Sequence, residues 1–236
     1  MNNKNNIDYI KEKSGWDSEY RNSTFLSHSI EPLLEVKKFL KYCHKHIENS
    51  LEGILLDIGC GNGRHAIYAS QHYGMFGMGY DISPYAIKEA INNLNHTKKS
   101  SCSFDVWNVR TKIPVNNATV SVALDVTCSP SIVMADIENF WREVSRTVKH
   151  GGIIFSRQLI IDNDSNAKEL LKKSPFENEY IHPTLNHLER VEYFDPITER
   201  FERYFEVLFK EKTQGYQTVD GIKYKRSYGI WYLKKK

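Results

Sequence analysis

LLDIGCGNGRH, residues 55 to 65, is the stretch on which the fold of this 236-residue chain turns. It closes the run GILLDI, residues 53 to 58, which is rich in branched apolar residues and does not alternate with polar ones. A strand buried on both faces, as in a parallel sheet covered by helices, has that pattern. Gly59, Gly61 and Gly63 follow at once. Glycine reaches backbone angles closed to other residues and lets a ligand lie against the main chain. Those are the needs of a nucleotide-like ligand. Dinucleotide enzymes use the related GxGxxG spacing to present a helix N-terminus to pyrophosphate. Here Asp57 stands two residues before the first glycine. A carboxylate so placed repels a pyrophosphate but can hold an amino group, directly or through water. The plain alternative is a glycine turn in a Rossmann-like domain that binds no cofactor.

Working outward, residues 62 to 72 read as a helix, FGMGYD at 76 to 81 as a second strand, and 83 to 94 as a helix with Ser83 as N-cap and Pro84 at its first position. Strands at 102 to 107 and 119 to 125, a helix over 135 to 148, a Gly151 and Gly152 stop, and a strand at 153 to 158 continue the alternation. Upstream, Leu33, Leu34, Val36, Phe39, Leu40 and Ile47 recur near helical spacing and predict an amphipathic helix over 30 to 47. Strands alternating with helices argue for a mostly parallel sheet. Beyond Gln158 the rhythm loosens. Residues 169 to 173 look like a short helix, 174 to 187 have no clear period and form a candidate substrate-facing insertion, and Asp195 with Pro196 starts a helix. The runs 204 to 209 and 228 to 233 predict an antiparallel hairpin at a sheet edge, around a turn-rich tip at 214 to 221.

With its acid and three glycines in DxGxGxG register, the first motif resembles that of the class I S-adenosylmethionine-dependent methyltransferases. The resemblance continues through YDIS, where Asp81 ends the second strand, FDVW at 104 to 107, ALDVTCSP after the fourth strand and VKHGG before the fifth. It covers roughly residues 53 to 158 and implies a doubly wound, Rossmann-like α/β fold. The expected sheet has seven mostly parallel strands, ordered 3-2-1-4-5-7-6, with an antiparallel C-terminal hairpin. The expected organisation is one domain over 1–236, with an N-terminal lid and cover at 1–50 and a cofactor core at 51–158. A substrate-side insertion and helix would occupy 159–203, and the hairpin 204–236. The resemblance implies S-adenosylmethionine as cofactor and S-adenosylhomocysteine as product, held by Asp57, Gly59, Cys60, Gly61, Gly63, Arg64, Asp81, Ile82, Asp105, Val106, Trp107 and Asp125. Asp81 would accept both ribose hydroxyls, Ile82 would pack on adenine, and Asp105 would reach the adenine amino group beside Val106 or Trp107.

The acceptor is less legible. Position at the end of the fourth strand nominates Asp125, Thr127 and Cys128. DVTC stands where enzymes that methylate amino groups of bases or glutamine typically carry an (N/D)PP(Y/F)-like segment, which counts against that chemistry. Cys128 reads either as a nucleophile of the cytosine-C5 type or as a small residue lining the pocket, and the residues before it lack the proline of the former. GWDSEYRN, residues 15 to 22, is similar to the opening helix of small free-standing methyltransferases acting on metabolites, where it folds over the cofactor. Trp16 and Tyr20 are therefore candidate lid and substrate contacts, with simple core packing as the alternative. His28, Asp125 and His182 are candidate catalytic groups. Arg157 and Arg190, with His182 and His187, form a possible anion or sugar site or else a solvated connection. His44 and His46 beside Cys43 point in different directions on a helix and predict no metal site.

Composition sets the outer limits. Lys and Arg number 32 against 29 Asp and Glu, a balance too even to indicate nucleic acid by itself, although KYKR at 223 to 226 and the closing KKK are local basic clusters. No run approaches a bilayer span, residues 1 to 6 lack the pattern of a secretory signal, and four scattered cysteines suit reduced thiols. A cytoplasmic enzyme with no membrane association is the expectation. Two functions stay open. One is methylation of a small polar acceptor, most simply an oxygen of a sugar or a nucleotide-linked, surface-polysaccharide precursor. The other is an RNA-modifying enzyme that uses the basic and aromatic stretch from Lys223 to Trp231. Nucleic acid is the less favoured partner, and the sequence gives no oligomeric state.

Overall fold

A computed structural model describes residues 15–22, 29–184, 186–219 and 221–236. After a helix at 15–22 (α1) come α2 (Leu34–His46), β1 (Ile54–Ile58), α3 (Arg64–Tyr73), β2 (Phe76–Asp81), α4 (Pro84–Asn95), β3 (Cys102–Val106) and β4 (Val120–Val126). A 3-10 turn at Ser129–Ser131 leads into α5 (Met134–Thr147) and β5 (Val148–Leu159). The chain continues through α6 (Ser165–Lys172), β6 (Glu179–Ile181), β7 (Leu188–Arg190), α7 (Phe194–Glu202), β8 (Phe205–Val219) and β9 (Ile222–Lys235). The seven-stranded sheet runs β3-β2-β1-β4-β5-β9-β8, parallel through β5 and antiparallel from there, as the sequence predicts.

The lack of alternation in β1 has its cause in two cores. Leu56 and Ile58 face one layer, with Phe140 and Trp141 of α5 and Phe201 of α7. Leu55 faces the other, with Phe39 and Leu40 of α2, Ala66 of α3 and Ala90 of α4. Both faces exclude water, so the strand's side chains gain from being apolar, and Asp57 is the exception. Ser83 caps α4 as expected, its hydroxyl accepting from the Ala86 N–H at 3.3 Å. No helix among the described residues is long and apolar enough to cross a membrane.

Several boundaries differ from the sequence reading. α2 begins at Leu34, not residue 30, because Pro32 disfavours helical angles at the residue before it. Gly151 and Gly152 do not stop the chain ahead of a strand. They lie inside β5, where Gly151 takes φ +75 and the pairing with β4 shifts register. The stretch at 174–187 contains β6 and leads into β7, a two-stranded sheet. Three-residue strands are too short to show a period. The hairpin is longer than predicted, since Gln214 and Gly215 still pair with Ser227 and Arg226. Ladder hydrogen bonds are made by backbone, so turn-rich composition did not end them.

Gly63 shows what the loop's glycines do for the fold. It sits at φ +76 as the N-cap of α3, and a Cβ there would fall 2.7 Å from Phe104 Cζ and 3.0 Å from Ala90 Cβ. We expect Gly63→Ala to cost about 2–4 kcal/mol in urea unfolding, combining left-handed strain with overpacking. Gly221→Ala has a comparable φ, +76, but open space around it, and should lose only about 1–2 kcal/mol. Equal losses for the two would refute the packing role.

Candidate active site

A cavity of about 540 Å³ opens at the carboxyl ends of β1, β2, β4 and β5, the place where open α/β sheets bind ligands. On one side lie Gly59, Cys60, Gly61, Arg64, Asp81 and Ile82. The loop is pinned to β2. Gly59 and Cys60 donate to the Tyr80 carbonyl at 2.8 and 3.0 Å, and Gly61 N–H donates to Asp81 Oδ2 at 2.9 Å. Asp81 Oδ1 accepts from the Ser83 N–H, also at 2.9 Å. A Cβ on Gly61 would fall 2.4 Å from the Tyr20 hydroxyl, so α1 lies directly over the loop. The Ser83 hydroxyl ties that helix down by donating to Asp17 at 2.6 Å.

Asp57 stands behind the glycines, completely buried, and neither of its oxygens has a hydrogen-bond partner among the described residues. Burial pushes its carboxyl up to about 7, with the nearby Ala66 backbone N–H and the Arg64 charge pulling the other way. His65 Nδ1 is 3.9 Å away but does not neutralise it, because burial, reinforced by Arg64 and Arg157, holds that imidazole down to about 3 and therefore uncharged. Asp81 is also raised by burial, to about 6, against the Ser83, Gly61 and Ile82 backbone donors. The site thus contains two buried acids on the loop side and no cation paired to Asp57 among the described residues.

The opposite side is built from β4, β5, α1 and the segment around β7. Asp125 is buried and accepts from the Ser129 N–H (2.8 Å) and hydroxyl (2.7 Å), the Ser156 hydroxyl (2.8 Å) and the Cys128 N–H (3.2 Å). Its bonds shape the loop after β4, and it stands behind the cavity wall rather than in it. Cys128 lines the cavity and packs against the glycine loop, where a Cβ on Gly59 would fall 2.6 Å from its Sγ. The His187 ring stacks on Trp16 at 4.3 Å and 17°, and its Nε2 lies 3.7 Å from Glu189 Oε1. Glu189 is locked in turn by Arg226 at 2.9 Å and the Tyr180 hydroxyl at 2.5 Å. Burial pushes the Glu189 carboxyl up, but the Arg226 charge and the His187 and Arg226 hydrogen bonds outweigh it and hold it well below the usual range.

Of the sequence-nominated residues, the cavity brings together Trp16, Tyr20, Gly59, Cys60, Gly61, Arg64, Asp81, Ile82, Thr127, Cys128, Arg157 and His187. Asp57, Gly63 and Asp125 support its wall. Asp105, Val106 and Trp107 are not brought in. β3 buries only Phe104, those three side chains face solvent, and the chain then turns so that Asn108, Val109 and Arg110 reach the cavity instead. Arg190 is also placed elsewhere. It is fully buried, pairs with Glu192 and donates to the Ile132 and Ser129 carbonyls, both at 3.1 Å. His182 is buried outside the lining, its backbone N–H donating to the His187 carbonyl at 2.9 Å, and His28 lies outside the described residues. Arg226, counted above in a basic cluster, is internal, bonded to Asp164 at 3.0 Å, and presents no charge to a polyanion. Glu189 was missed. The spacing of His187 and Glu189, two apart at a strand, was the available signal, since such residues share a face. Tyr216 and Thr218, also in the lining, had none.

Residues 55–152 match a family described as a methyltransferase domain. A ribosomal protein L11 methyltransferase of Lachnospira eligens is 24% identical over 139 residues, 58% of this chain and 42% of that protein, so the chain spans less than half of that relative's length. Among solved structures, a SAM-dependent methyltransferase from Methanosarcina mazei superposes with a TM-score of 0.64 at 18% identity, covering 77% of this chain and 92% of the other. One from Anabaena variabilis gives 0.68 at 15% identity, covering 97% and 95%. At those identities the likeness to solved structures is one of fold.

Proposed function

We propose that this chain, a class I S-adenosylmethionine-dependent methyltransferase, transfers its methyl group to an oxygen of a small polar acceptor such as a sugar or a nucleotide-linked precursor. The observation that carries the acceptor side is the His187 and Glu189 pair facing the same cavity as the glycine loop, under Trp16. The cofactor, when bound, supplies an electrophilic methyl on a sulfonium. What the protein adds is alignment, exclusion of water and, for a hydroxyl acceptor, removal of a proton. His187 takes that proton, its ring fixed by the Trp16 stack and the resulting positive charge balanced by Glu189.

On the loop side, Asp57 faces the cofactor amine, Asp81 accepts from the ribose hydroxyls, Ile82 packs by the adenine and Arg64 meets the carboxylate. A buried acid with both oxygens unsatisfied suits a cation better than a phosphate. With its carboxyl raised to about 7, Asp57 is largely protonated at lower pH, and an amine beside it favours the ionised form. Binding therefore releases a proton below pH 7. Cofactor affinity should climb roughly tenfold or more from about pH 5.5 to 7.5 in calorimetry, and flatten with Asp57→Asn. A flat profile for the unaltered protein would remove the amine contact. The overall reading is tested by offering methyl-labelled cofactor to a cell extract separated into small molecules, protein and RNA. Label is expected in small molecules, as a base-stable ether. Label confined to protein or RNA would overturn it.

A further inference from the structure

We infer that the acceptor carries an oxyanion, a carboxylate or a phosphate, which Arg157 binds at the β5 side of the cavity. This rests on the reading of a small-molecule acceptor just given. Arg157 is the cation at the end of β5, and its guanidinium is already in place. It lies 3.5 Å over the Tyr228 ring, and its Nη1 donates to Thr127 Oγ1 at 2.9 Å. Thr127 returns a bond from its N–H to the Arg157 carbonyl, also at 2.9 Å. To make this reciprocal pair Thr127 adopts φ +62, a left-handed conformation that β-branched residues rarely take. Outliers of this kind persist where the surroundings over-determine them, commonly at ligand sites.

What the arrangement leaves unbonded is the other edge of the guanidinium. Arg157 Nε is buried and has no hydrogen-bond partner among the described residues, and no carboxylate among them pairs with this side chain. Nε and Nη2 form a fork that matches two oxygens of one anion. The other cavity cations have work elsewhere. Arg110 is bound to Asp136 at 2.7 Å, and Arg64 begins α3 directly after the glycine loop. Of the cavity acids, Asp81 and Glu89 belong to the β2 and α4 side, three strand positions from β5, or about 14 Å at the usual spacing. Glu189 is paired with Arg226, which screens it from the Arg157 side. An anion at Arg157 therefore meets that guanidinium, with the Arg64 charge near enough to act on the same region, and no unscreened acid beside it.

The test uses the purified protein saturated with S-adenosylhomocysteine and titrated by calorimetry with inorganic phosphate and, separately, acetate, at constant ionic strength set with chloride. One of the two should saturate, which tells phosphate from carboxylate, and Arg157→Gln should weaken it at least tenfold while leaving S-adenosylhomocysteine affinity unchanged. Arg157→Lys, which keeps the charge and loses the fork, should fall between. The inference is overturned if neither anion binds above the chloride control, if Arg157→Gln binds equally well, or if Arg157→Gln and Arg157→Lys both weaken S-adenosylhomocysteine as much as the anion, which would assign Arg157 to the cofactor. Failure of the wider reading looks different, because label would then appear in protein or RNA whatever the anion titration gives.

Discussion

Alanine in place of Asp81 should weaken S-adenosylmethionine binding by about a hundredfold, read by calorimetry. A hydrogen bond to a charged group is worth about 1.5–3 kcal/mol, and two ribose hydroxyls would be lost together. The side chain also organises the site before any ligand arrives, because its two oxygens hold the Gly61 and Ser83 backbone donors. Its removal frees the glycine loop as well as the ribose. Asp81→Asn keeps one acceptor oxygen and should lose about tenfold. Unchanged affinity in Asp81→Ala, with the fold intact by circular dichroism, would sink the ribose assignment.

His187→Gln should lower kcat by about 10²–10⁴, the usual contribution of a positioned general base, and leave cofactor affinity within about a factor of two. Glutamine can keep a polar contact toward Glu189 but cannot accept the proton. The partner variant, Glu189→Gln, should lose less activity and more stability, because it removes the charge that faces the fully buried Arg226. A His187→Gln enzyme with full kcat would move proton removal to solvent or to the acceptor itself.

What could be read in the sequence divides along the same line as the cavity. The loop side lies within one continuous α/β stretch, where burial on both sheet faces, the glycines and the Ser83 cap each leave a local mark. On those marks Asp81 and Ile82 were nominated, and both line the cavity, with Asp57 buried behind the glycines. Asp105 to Trp107, nominated by strand-end position, lie outside the cavity lining. Phe104 fills the space beside Gly63 and Gly79, and the chain turns outward after it. On the acceptor side the groups come from α1, β5, β7 and β8, far apart in the chain, and no local period links them. Arg190 read as a candidate anion contact and Arg226 as part of a basic cluster because a sequence shows a basic residue but not the carboxylates that will enclose it. Glu192, Glu189 and Asp164 do so here.

Beyond its pairing with the sheet core, the β8 and β9 hairpin reaches far enough for Tyr216 and Thr218 to line the cavity. Residues two apart on a strand share a face, and a one-residue slip sends both to the other side. For anyone redesigning selectivity, the hairpin is therefore a two-position dial with discrete settings. Substitutions at 216 and 218 should resize the cavity, whereas a single-residue deletion between Lys212 and Tyr216 should exchange both for their neighbours in one step. Neither change touches the glycine loop, so new acceptors can be sampled while cofactor affinity serves as a constant internal reference.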